Sequence, residues 1–595
     1  MKTYFKSILI LLLILYPLFI FAKTTNRGTS STQKKEKQSD SSILKRLYGL
    51  LFVTKEDTGK EIVFRKSDTK FRKYQNKRVR KIYIKQKDVF QDPNKRNNLK
   101  LIGNQIHIDT RVAIIRKNLL FKEFSLVDAK IFSASEKRLS ELDYIKEATI
   151  EVVPIKGEKD FVDVVVNTRD KFSKEVNIGI SKFGVKYDIG FKDKNLLGLG
   201  NTFDSKMKIN KSITSTMGNS SKYKISNIDG SFIDAELFYL YDYRNENIGG
   251  ELSRNYEAGL KYVGAIKIRN EKEFQMEIDD TIVTPKNESV IFDFWIGRVY
   301  SFYKDFFKYD KLFLAVRHSE TDYISKPSGV AEDSLQEYKD IIFNNLFKVV
   351  FAKQNFYRTN YIYGFGENEY LPYGKMVEFI FGLEKNEFYN RFYYGFALTT
   401  GDLIEKMGFF YNKLGFGFYT NDKKLENNVL RYDMLYLSSL KKINNHYLRW
   451  IAKYKYVTSL SEIDDEKDKL AINNSDVRGF DYNRNGEQKL SFSSEVTDYT
   501  PWKFLGFNFS FFGFYDFSVL NEYEDFFAGG RYNSAVGLGL RLKNNNLVFN
   551  TIQLRFVYFP LVNSGEASNS FDIFEENNGN NNFFDFDMPE IIKYE

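Results

Sequence analysis

The sequence predicts a mostly β protein, in which a transmembrane antiparallel β-barrel follows a small α+β domain. From Ser173 onward, short stretches of alternating apolar and polar residues recur between Gly, Asn and Asp turns, and no convincing long helix appears. No stretch of 18 or more apolar residues follows residue 22, so no transmembrane helix is expected. The 57 Phe and 40 Tyr residues suit the aromatic girdles of a membrane barrel, although a general bias toward Phe, Tyr, Ile, Lys and Asn also contributes.

A signal peptide is predicted at residues 1–22. Lys2 and Lys6 supply its positive region, the stretch from Ile8 to Phe21 is apolar, and Ala22 is a small residue before the expected cleavage point. The alternative is a retained membrane anchor, but the apolar stretch is short beside the ~20 residues of a spanning helix. We therefore expect cleavage after Ala22.

Two segments precede the predicted barrel. Residues 23–75 combine a flexible linker, rich in Lys, Ser, Thr and Gln, with a periplasmic segment that the pattern leaves unassigned. Residues 76–170 are predicted to form a small α+β domain, with one strand followed by two helices and a hairpin of two strands. The predicted elements are a strand at 80–86, helices at 110–120 and 129–142, and strands at 148–154 and 162–168.

The predicted barrel covers residues 171–595 and ends in an acidic segment. Its most informative stretch runs from Asp476 to Leu542, where a long loop precedes two or three alternating strands. The loop contains Val477-Arg478-Gly479-Phe480, and an aromatic strand contains Phe514-Tyr515-Asp516. Because the lipid face of a membrane barrel penalises charges, the arginine and the aspartate should face the lumen or the water.

This stretch resembles the outer-membrane assembly and translocation superfamily, in which a POTRA domain precedes a β-barrel of the bacterial surface antigen type. The matching residues are Val477, Arg478, Gly479 and Phe480 in the loop-six motif, Phe514 and Asp516 in the lumen-wall motif, and Asn195, Gly198 and Gly200 in the barrel-opening turn. Residues 76–170 resemble one POTRA domain. Arg-Gly-Phe alone would be read as an exposed turn, but the order of the separate motifs favours the family. The resemblance implies about 16 strands and an arginine that packs against the Phe-x-Asp strand from inside the barrel.

The resemblance also implies a function. Such a protein would insert polypeptides into the outer membrane or move them through it, with the POTRA domain binding clients on the periplasmic side. The implied partners are unfolded or secreted client polypeptides, outer-membrane lipids, and periplasmic chaperones or accessory lipoproteins. The alternative is a passive outer-membrane channel, or a surface-exposed adhesive barrel, without client transport.

The composition gives no support to catalysis. The chain has no Cys, and its three His residues, at positions 107, 318 and 446, are far apart in sequence. Neither a phosphate-binding Gly-x-x-x-x-Gly-Lys-Ser/Thr loop nor a Gly-x-Ser-x-Gly nucleophile motif occurs. The basic run 77–81 could bind nucleic acid, but behind an export signal anionic lipid headgroups are the favoured partner. We expect no enzymatic activity, no metal or cofactor and no nucleic-acid partner.

Two features depart from the family pattern. Only one POTRA-like copy is recognisable, whereas the main assembly factor of the family has several. The sequence also ends Ile592-Lys593-Tyr594-Glu595, without the family's usual terminal aromatic residue. Both features favour a specialised or accessory member over the essential assembly protein.

Overall fold

The computed structural model describes residues 64–89 and 107–595, apart from 182–185, 211–216, 243–244, 277–282, 307–308, 327–339, 363, 422–423, 461–468, 481, 505, 523–529, 549–550, 563–569, 577–583 and 585. The predicted signal peptide at 1–22, and the linker with most of the unassigned segment that follows it, lie outside the described residues.

The first described elements are a short strand, β1 (Arg65–Lys66), and a one-turn helix, α1 (Thr69–Arg72). Both lie in the segment that the sequence pattern left unassigned. Phe71 of α1 is buried with the apolar core of the N-terminal unit. The β1 strand instead pairs with Tyr357 and Arg358 in the large sheet described below. These few residues therefore connect the N-terminal unit to the large sheet.

The N-terminal unit continues with three strands and two helices. Their bounds are β2 (Arg78–Lys87), α2 (Val112–Lys117), α3 (Ala129–Glu141), β3 (Ile145–Pro154) and β4 (Phe161–Asp170). The structure thus has the strand-helix-helix-strand-strand order that the sequence predicts. The middle strand, β4, runs parallel to β2 and antiparallel to β3. Among the described helices, none is long and apolar enough to cross a membrane.

The core of this unit follows from alternation along β4. Val162, Val164 and Val166 are fully buried on one face of the strand. They share a cluster with Phe132 and Leu139, which lie on the apolar face of α3. The helix begins after Asp128, whose Oδ1 accepts hydrogen bonds from the backbone N–H groups of residues 130 and 131. Sheet and helix therefore bury their apolar faces against each other.

Apart from one hairpin of two short strands, described below, the remaining strands form one large antiparallel sheet. In the described part of the chain this sheet has 22 strands, of which β1 and β19 (Lys441–Ile443) are short flanking pieces. The other 20 pair in chain order as a meander. They are β5 (Lys174–Ser181), β6 (Lys186–Leu196), β7 (Asn201–Asn210), β8 (Met217–Ile225), β9 (Asp234–Tyr241), β10 (Asn245–Arg254), β11 (Tyr262–Met276), β12 (Val283–Phe306), β13 (Tyr309–Ser325), β14 (Ile341–Thr359), β15 (Glu369–Asn386), β16 (Asn390–Ile404), β17 (Gly408–Asn421), β18 (Lys424–Ser438), β20 (His446–Ser459), β23 (Gln488–Phe504), β24 (Phe507–Asn521), β25 (Arg531–Lys543), β26 (Thr551–Leu561) and β27 (Ser570–Glu576).

The expectation of about 16 strands is therefore too low. That number came from the resemblance, because the length of the predicted barrel allowed several strand numbers. The early strands are shorter than it assumed: β5 and β9 have 8 residues each, and β8 has 9. Some connections are also short, since only residues 387–389 join β15 to β16 and only residues 405–407 join β16 to β17. More strands fit into the same length of chain.

The two faces of the sheet differ in what they expose. On β24, Phe512, Phe514 and Asp516 are buried, whereas the alternating Phe511 and Tyr515 are exposed. The same period of two runs through other strands, and we call the exposed side the outer face. Its large apolar side chains include Phe379, Phe381, Phe392, Tyr394, Trp450, Val496, Leu538, Phe556 and Tyr558. An apolar surface of this extent is typical of a protein that contacts lipid or another apolar partner.

The sheet curls so that early and late strands approach the same small domain. Turns and strand ends from β6 to β13, and the turn after β25, all contact the N-terminal unit. The contacts are Arg111 N–H to Gly198 O (2.9 Å), Lys117 to Asp229 (2.8 Å), Lys130 to Asp310 (3.0 Å) and Lys146 to Asn546 (2.7 Å). A flat meander could not bring β6 and β25 to one small unit. The buried face is therefore the concave, inner face.

Two pieces of chain lie against this inner face. One is the hairpin of β21 (Leu470–Asn473) and β22 (Tyr482–Gly486), which we call the inner hairpin. The other is residues 584 and 586–595, which we call the inner tail. Each joins an apolar cluster with side chains of the sheet. The inner face is therefore covered by the protein's own chain at these places.

Candidate functional site

The tip of the inner hairpin turns back immediately after β21. The backbone N–H groups of Asp476 and Val477 donate to the carbonyl oxygen of Asn473, at 2.9 and 3.0 Å. Gly479 has a φ of +81°, a conformation that favours glycine. Its N–H donates to Oδ1 of Asn474 at 2.7 Å. This turn places Arg478 between two side chains that point into apolar surroundings.

Those two neighbours, Val477 and Phe480, anchor the tip. Their side chains are 0% and 2% exposed, so the tip of the loop is buried and is not a solvated turn. Their cluster includes Leu470, Ile472, Phe512, Phe514, Leu520 and Ala535. Burial of an aliphatic or aromatic side chain of this size contributes about 1.5–3 kcal/mol. The apolar residues of the Val-Arg-Gly-Phe sequence therefore hold the hairpin against the wall.

Arg478 and Asp516 form a bidentate ion pair between the hairpin tip and β24. Nε of Arg478 donates to Oδ2 of Asp516 at 2.7 Å, and Nη2 donates to Oδ1 at 2.8 Å. The backbone N–H of Arg478 also donates to Oδ2, at 3.1 Å. The Asp516 side chain is 1% exposed, so the pair is shielded from bulk water. Such parallel hydrogen bonds fix direction as well as distance.

The rest of the guanidinium is also held. Its Nη2 donates to Oγ of Ser493 at 3.1 Å, and that hydroxyl donates to Oδ1 of Asp516 at 2.7 Å. The carbon of the guanidinium lies 3.8 Å from the ring centroid of Phe514. Nη1 donates to Oε2 of Glu495 at 2.5 Å. Only the planar fork of arginine can serve all these partners at once, so lysine would not replace it.

A second arginine, which the sequence reading missed, shares the same glutamate. Arg541 of β25 donates to Oε1 and Oε2 of Glu495 at 2.6 and 3.1 Å. Its guanidinium carbon lies 4.0 Å from the ring centroid of Phe512. Thr497 donates to Oε1 of the same carboxylate at 2.9 Å. Glu495 thus bridges two arginines, each stacked on a phenylalanine of β24.

A further ion pair, also missed, lies at the base of the tip. Nζ of Lys489 is 3.0 Å from Oδ2 of Asp476, and both side chains are 2% exposed. Ser491 donates to the other oxygen of this carboxylate at 3.1 Å. The three cations and three carboxylates of the site are therefore balanced. A cavity of about 640 Å³ adjoins them, lined also by Tyr411, Lys453, Lys455 and Arg555.

The sequence did contain a signal for these missed residues. Positions 489, 491, 493, 495 and 497 of β23 are Lys, Ser, Ser, Glu and Thr, so a polar side chain recurs at every second residue. Such a row on one face of a strand indicates a polar inner surface. Reading the alternation as a binding wall, and not only as evidence of a strand, would have singled out Glu495 and Lys489.

The predicted barrel-opening turn is not part of this site. Asn195, Gly198 and Gly200 lie at the connection of β6 to β7 and contact the N-terminal unit. Nδ2 of Asn195 donates to Oγ1 of Thr110 at 2.9 Å, and Oδ1 accepts from the N–H of Gly200 at 2.8 Å. The two glycines have φ values of +72° and +70°. A Cβ at 198 would lie 2.4 Å from the carbonyl oxygen of Asp109. The turn is therefore a docking point.

Another part of this docking surface contains a partly buried lysine. Lys146 of β3 donates from Nζ to Oδ1 of Asn546 at 2.7 Å. Burial, and then repulsion by Arg169, lowers the pKa of Lys146 from 10.5 to about 8. Nearby, Phe172 N–H donates to the carbonyl oxygen of Asn546 at 2.6 Å. The end of the N-terminal unit is therefore fixed to the turn between β25 and β26.

One group of side chains has the composition of a metal site. Possible ligand atoms of His107, Asp109 and Asp170 lie within 4.8 Å of one another. Oδ2 of Asp170 already accepts from the N–H and the Oγ1 of Thr110, both at 2.7 Å, and lies 3.3 Å from Nε2 of His107. Hydrogen bonding thus explains the arrangement of the buried carboxylate, and Asp109 is largely exposed.

No protein-family model matches this sequence. Three solved structures are similar to this chain. They are BamA from Haemophilus ducreyi lacking POTRA domains 1–3 (10% identity over 84% of this chain and 83% of that chain, TM-score 0.35), CdiB from Acinetobacter baumannii (11%, 84% and 73%, TM-score 0.42) and CdiB from Escherichia coli (8%, 84% and 75%, TM-score 0.37).

Proposed function

We propose that this chain is an outer-membrane β-barrel that inserts polypeptides into the membrane or moves them through it. The observation that carries the proposal is the inner hairpin, held on the inner face by Arg478, Asp516 and Glu495. A clamp of this kind is suited to hold a loop in one position while other parts of the barrel open.

The membrane location is supported by the distribution of charge. The outer face presents large apolar and aromatic side chains, whereas Lys489, Glu495 and Asp516 are buried on the inner face. Placing a Lys or Arg on the lipid side of a membrane strand costs about 2–4 kcal/mol at the midplane, so this division suits a bilayer. Together with the predicted signal peptide, it supports an outer-membrane location, and the proposal puts the N-terminal unit on the periplasmic side.

The N-terminal unit would receive the client. Its sheet has β2 and β3 as outer strands. The outer edge of β2 is partly covered, because Val79 exchanges backbone hydrogen bonds with Phe124 and Ser125. The edge of β3 is covered at Ile150, whose N–H donates to Oε2 of Glu136 at 3.0 Å and whose carbonyl oxygen accepts from Nζ of Lys70 at 3.3 Å. We assign the β3 edge beyond Ile150 to a client segment that adds as a further strand. The client would then pass to the edges of β5 and β27, the first and last strands of the meander. Periplasmic chaperones or accessory lipoproteins would act at the same unit.

Photo-crosslinking in active membranes tests this function. A photoreactive residue in place of Val176 in β5 or Ser570 in β27 should capture translocating polypeptide. The same residue in place of Tyr515, which is exposed on the outer face of β24, should capture none. Absence of captured polypeptide at both strand positions, in barrels that are inserted and folded, would contradict the proposal.

A passive channel is the second candidate, because the cavity beside Arg478 has many charged lining residues. Single-channel recording separates the two functions. A large, steady conductance without any client crosslinks would favour the channel. The inner hairpin and the inner tail both occupy the inner face, which argues against a permanently open pore.

A further inference from the structure

The inner tail is bound to the wall of the sheet along its whole described length. The first part contacts strands β13, β14 and β17, and the last part reaches β16, β18 and the start of β23. Because the tail has an acidic sequence, it would ordinarily be expected in solvent. Its backbone and side chains instead make specific contacts, which fall into four groups.

The first group is aromatic. Phe584 and Phe586 are each 3% exposed, although they follow the last strand of the sheet. The ring centroid of Phe586 lies 4.6 Å from that of Tyr256 and 5.5 Å from that of Phe313. The carbonyl oxygen of Phe584 accepts from Nε2 of Gln354 at 3.0 Å. Two aromatic rings and one backbone group thus fix the beginning of the tail.

The second group is electrostatic. Asp587 pairs with Lys348, a lysine of β14 whose side chain is 6% exposed. Lys348 also pairs with Glu378 at 3.1 Å, and Lys413 lies 3.8 Å from that same glutamate. Lys348 and Lys413 therefore share one carboxylate of the wall, that of Glu378. Asp587 of the tail supplies a second carboxylate. Without Asp587 this part of the wall would carry one uncompensated positive charge, which favours an acidic occupant.

The third group is steric. Gly401 of β16 and Gly415 of β17 leave space on the inner face where side chains would stand. A Cβ at 415 would lie 3.2 Å from Ile592, and one at 401 would lie 3.2 Å from the ring of Phe584. Glycine in the interior of a strand weakens the strand. A glycine found there often marks a place where another segment of backbone comes close. The wall is shaped to receive a polypeptide here.

Backbone contacts complete the groove. The N–H of Ile592 donates to Oη of Tyr393 at 2.7 Å, and the carbonyl oxygen of Pro589 accepts from Nη1 of Arg317 at 3.2 Å. Oη of Tyr594 donates to the carbonyl oxygen of Glu487, immediately after the inner hairpin, at 2.7 Å. The bonds at Ile592 and Pro589 are made by the backbone of the tail and do not depend on its side chains. A different polypeptide could therefore make them.

We propose that the inner face carries a binding groove for extended polypeptide segments that combine aromatic residues with a carboxylate. The inner tail is the resident ligand of this groove, and a client segment of the same chemistry displaces it. The inference rests on the proposed function for the identity of the client, but the groove and its occupant rest on the contacts above. Displacement would also release Tyr594 from the base of the inner hairpin.

Peptide binding by the purified, full-length barrel in lipid nanodiscs tests the groove. The probe is a fluorescent synthetic peptide with the sequence of residues 584–595, and the control is the same composition in scrambled order. A variant ending at residue 583 should bind the probe, and the intact protein should bind it at least tenfold more weakly because its own tail competes. Adding Lys348→Met to the shortened variant should weaken binding at least tenfold.

Equal binding by the intact and shortened proteins, or equal binding of the scrambled peptide, would overturn the inference. If the shortened variant does not fold, Asp587→Asn in the intact chain replaces it. That variant should bind the probe more tightly than the unsubstituted protein, and unchanged binding would count against the groove. Displacement by a client is measured separately, by competition: an aromatic, acidic client segment should reduce binding of the fluorescent probe. Loss of crosslinks at Val176 and Ser570 with intact probe binding would contradict only the proposed function.

Discussion

The carboxylate of Asp516 accepts three hydrogen bonds from Arg478, two from the guanidinium and one from the backbone N–H. The two residues are 38 positions apart, and β23 lies between them in sequence. The same two side chains therefore fix both the position of the hairpin tip and its orientation. If polypeptide transport requires the hairpin to stay in place, substitution of either residue should impair transport.

Arg478→Ala should loosen the inner hairpin and impair polypeptide transport while leaving the barrel inserted. The substitution leaves Asp516 buried without its cation, and breaking a buried pair costs about 3–5 kcal/mol. Protease cleavage in the 461–486 connection, measured on intact cells, should increase, and Asp516→Ala should behave in the same way. The control is Arg431→Ala, which removes a partly exposed pair with Asp433 on the same strand, together with a long, exposed hydrogen bond to the carbonyl oxygen of Glu595 at 3.5 Å. This substitution should cost about 0–1 kcal/mol. Unchanged cleavage and transport in both Arg478→Ala and Asp516→Ala would refute the clamp.

Glu495 should couple the two arginines energetically. Glu495→Gln removes one charge from a carboxylate that binds both Arg478 and Arg541. A double-mutant cycle of Glu495→Gln with Arg541→Met, followed by thermal unfolding, should give a coupling energy of about 0.5–3 kcal/mol. Glu495→Gln with Arg431→Met is the matched cycle without contact, for which additive effects are expected. Additivity in the first cycle would mean that the bridge contributes nothing to stability.

The docking turn gives a prediction with a close internal control. Gly198→Ala introduces a Cβ only 2.4 Å from the carbonyl oxygen of Asp109, whereas Gly157→Ala introduces one with nothing within 4 Å. Both glycines have a positive φ, so both substitutions carry similar backbone strain. Limited proteolysis should therefore separate the N-terminal unit from the barrel in Gly198→Ala only. Similar release in both variants would show that strain, and not the contact with Asp109, decides the result.

Lys146 should make the stability of the docked N-terminal unit depend on alkaline pH. Its pKa is about 8 when folded and 10.5 when unfolded, so between these values the unfolded state binds more protons. The contribution of this lysine to stability therefore increases as pH rises from about 8 to about 10.5, by at most ~3 kcal/mol before screening by water. Melting temperatures measured from pH 7.5 to 10 should show this increase relative to Lys146→Met. The control variant Lys85→Met, at an exposed position of β2, should show the same increase in melting temperature as the unsubstituted protein. An identical pH profile for Lys146→Met and the unsubstituted protein would exclude the effect.

The sequence predicted local features better than long-range ones. The elements of the N-terminal unit could be read because helical and strand periods are properties of neighbouring residues. The contact of Arg478 with Asp516 could be anticipated only through the resemblance, since no local pattern joins positions 38 apart. The strand number could not be read, because short strands such as β8 resemble irregular segments. The inner tail was missed because its acidic residues indicate solvent, and Lys348, which binds Asp587, lies 239 positions earlier.

Removal of the inner tail should increase ion conductance. The tail crosses the inner face from Phe584 to Tyr594, and its departure would open space and uncover the cation at Lys348. In planar bilayers, the variant ending at residue 583 should conduct more than the intact protein and should shift toward anion selectivity. Adding the synthetic 584–595 peptide should restore the smaller conductance in a dose-dependent way, whereas the scrambled peptide should not. Lys593→Ala serves as the control within the tail, because that side chain is half exposed and lies 3.8 Å from the carboxylates of Glu590 and Glu595. A shortened variant with the conductance and selectivity of the intact protein would show that the tail does not restrict the inner space.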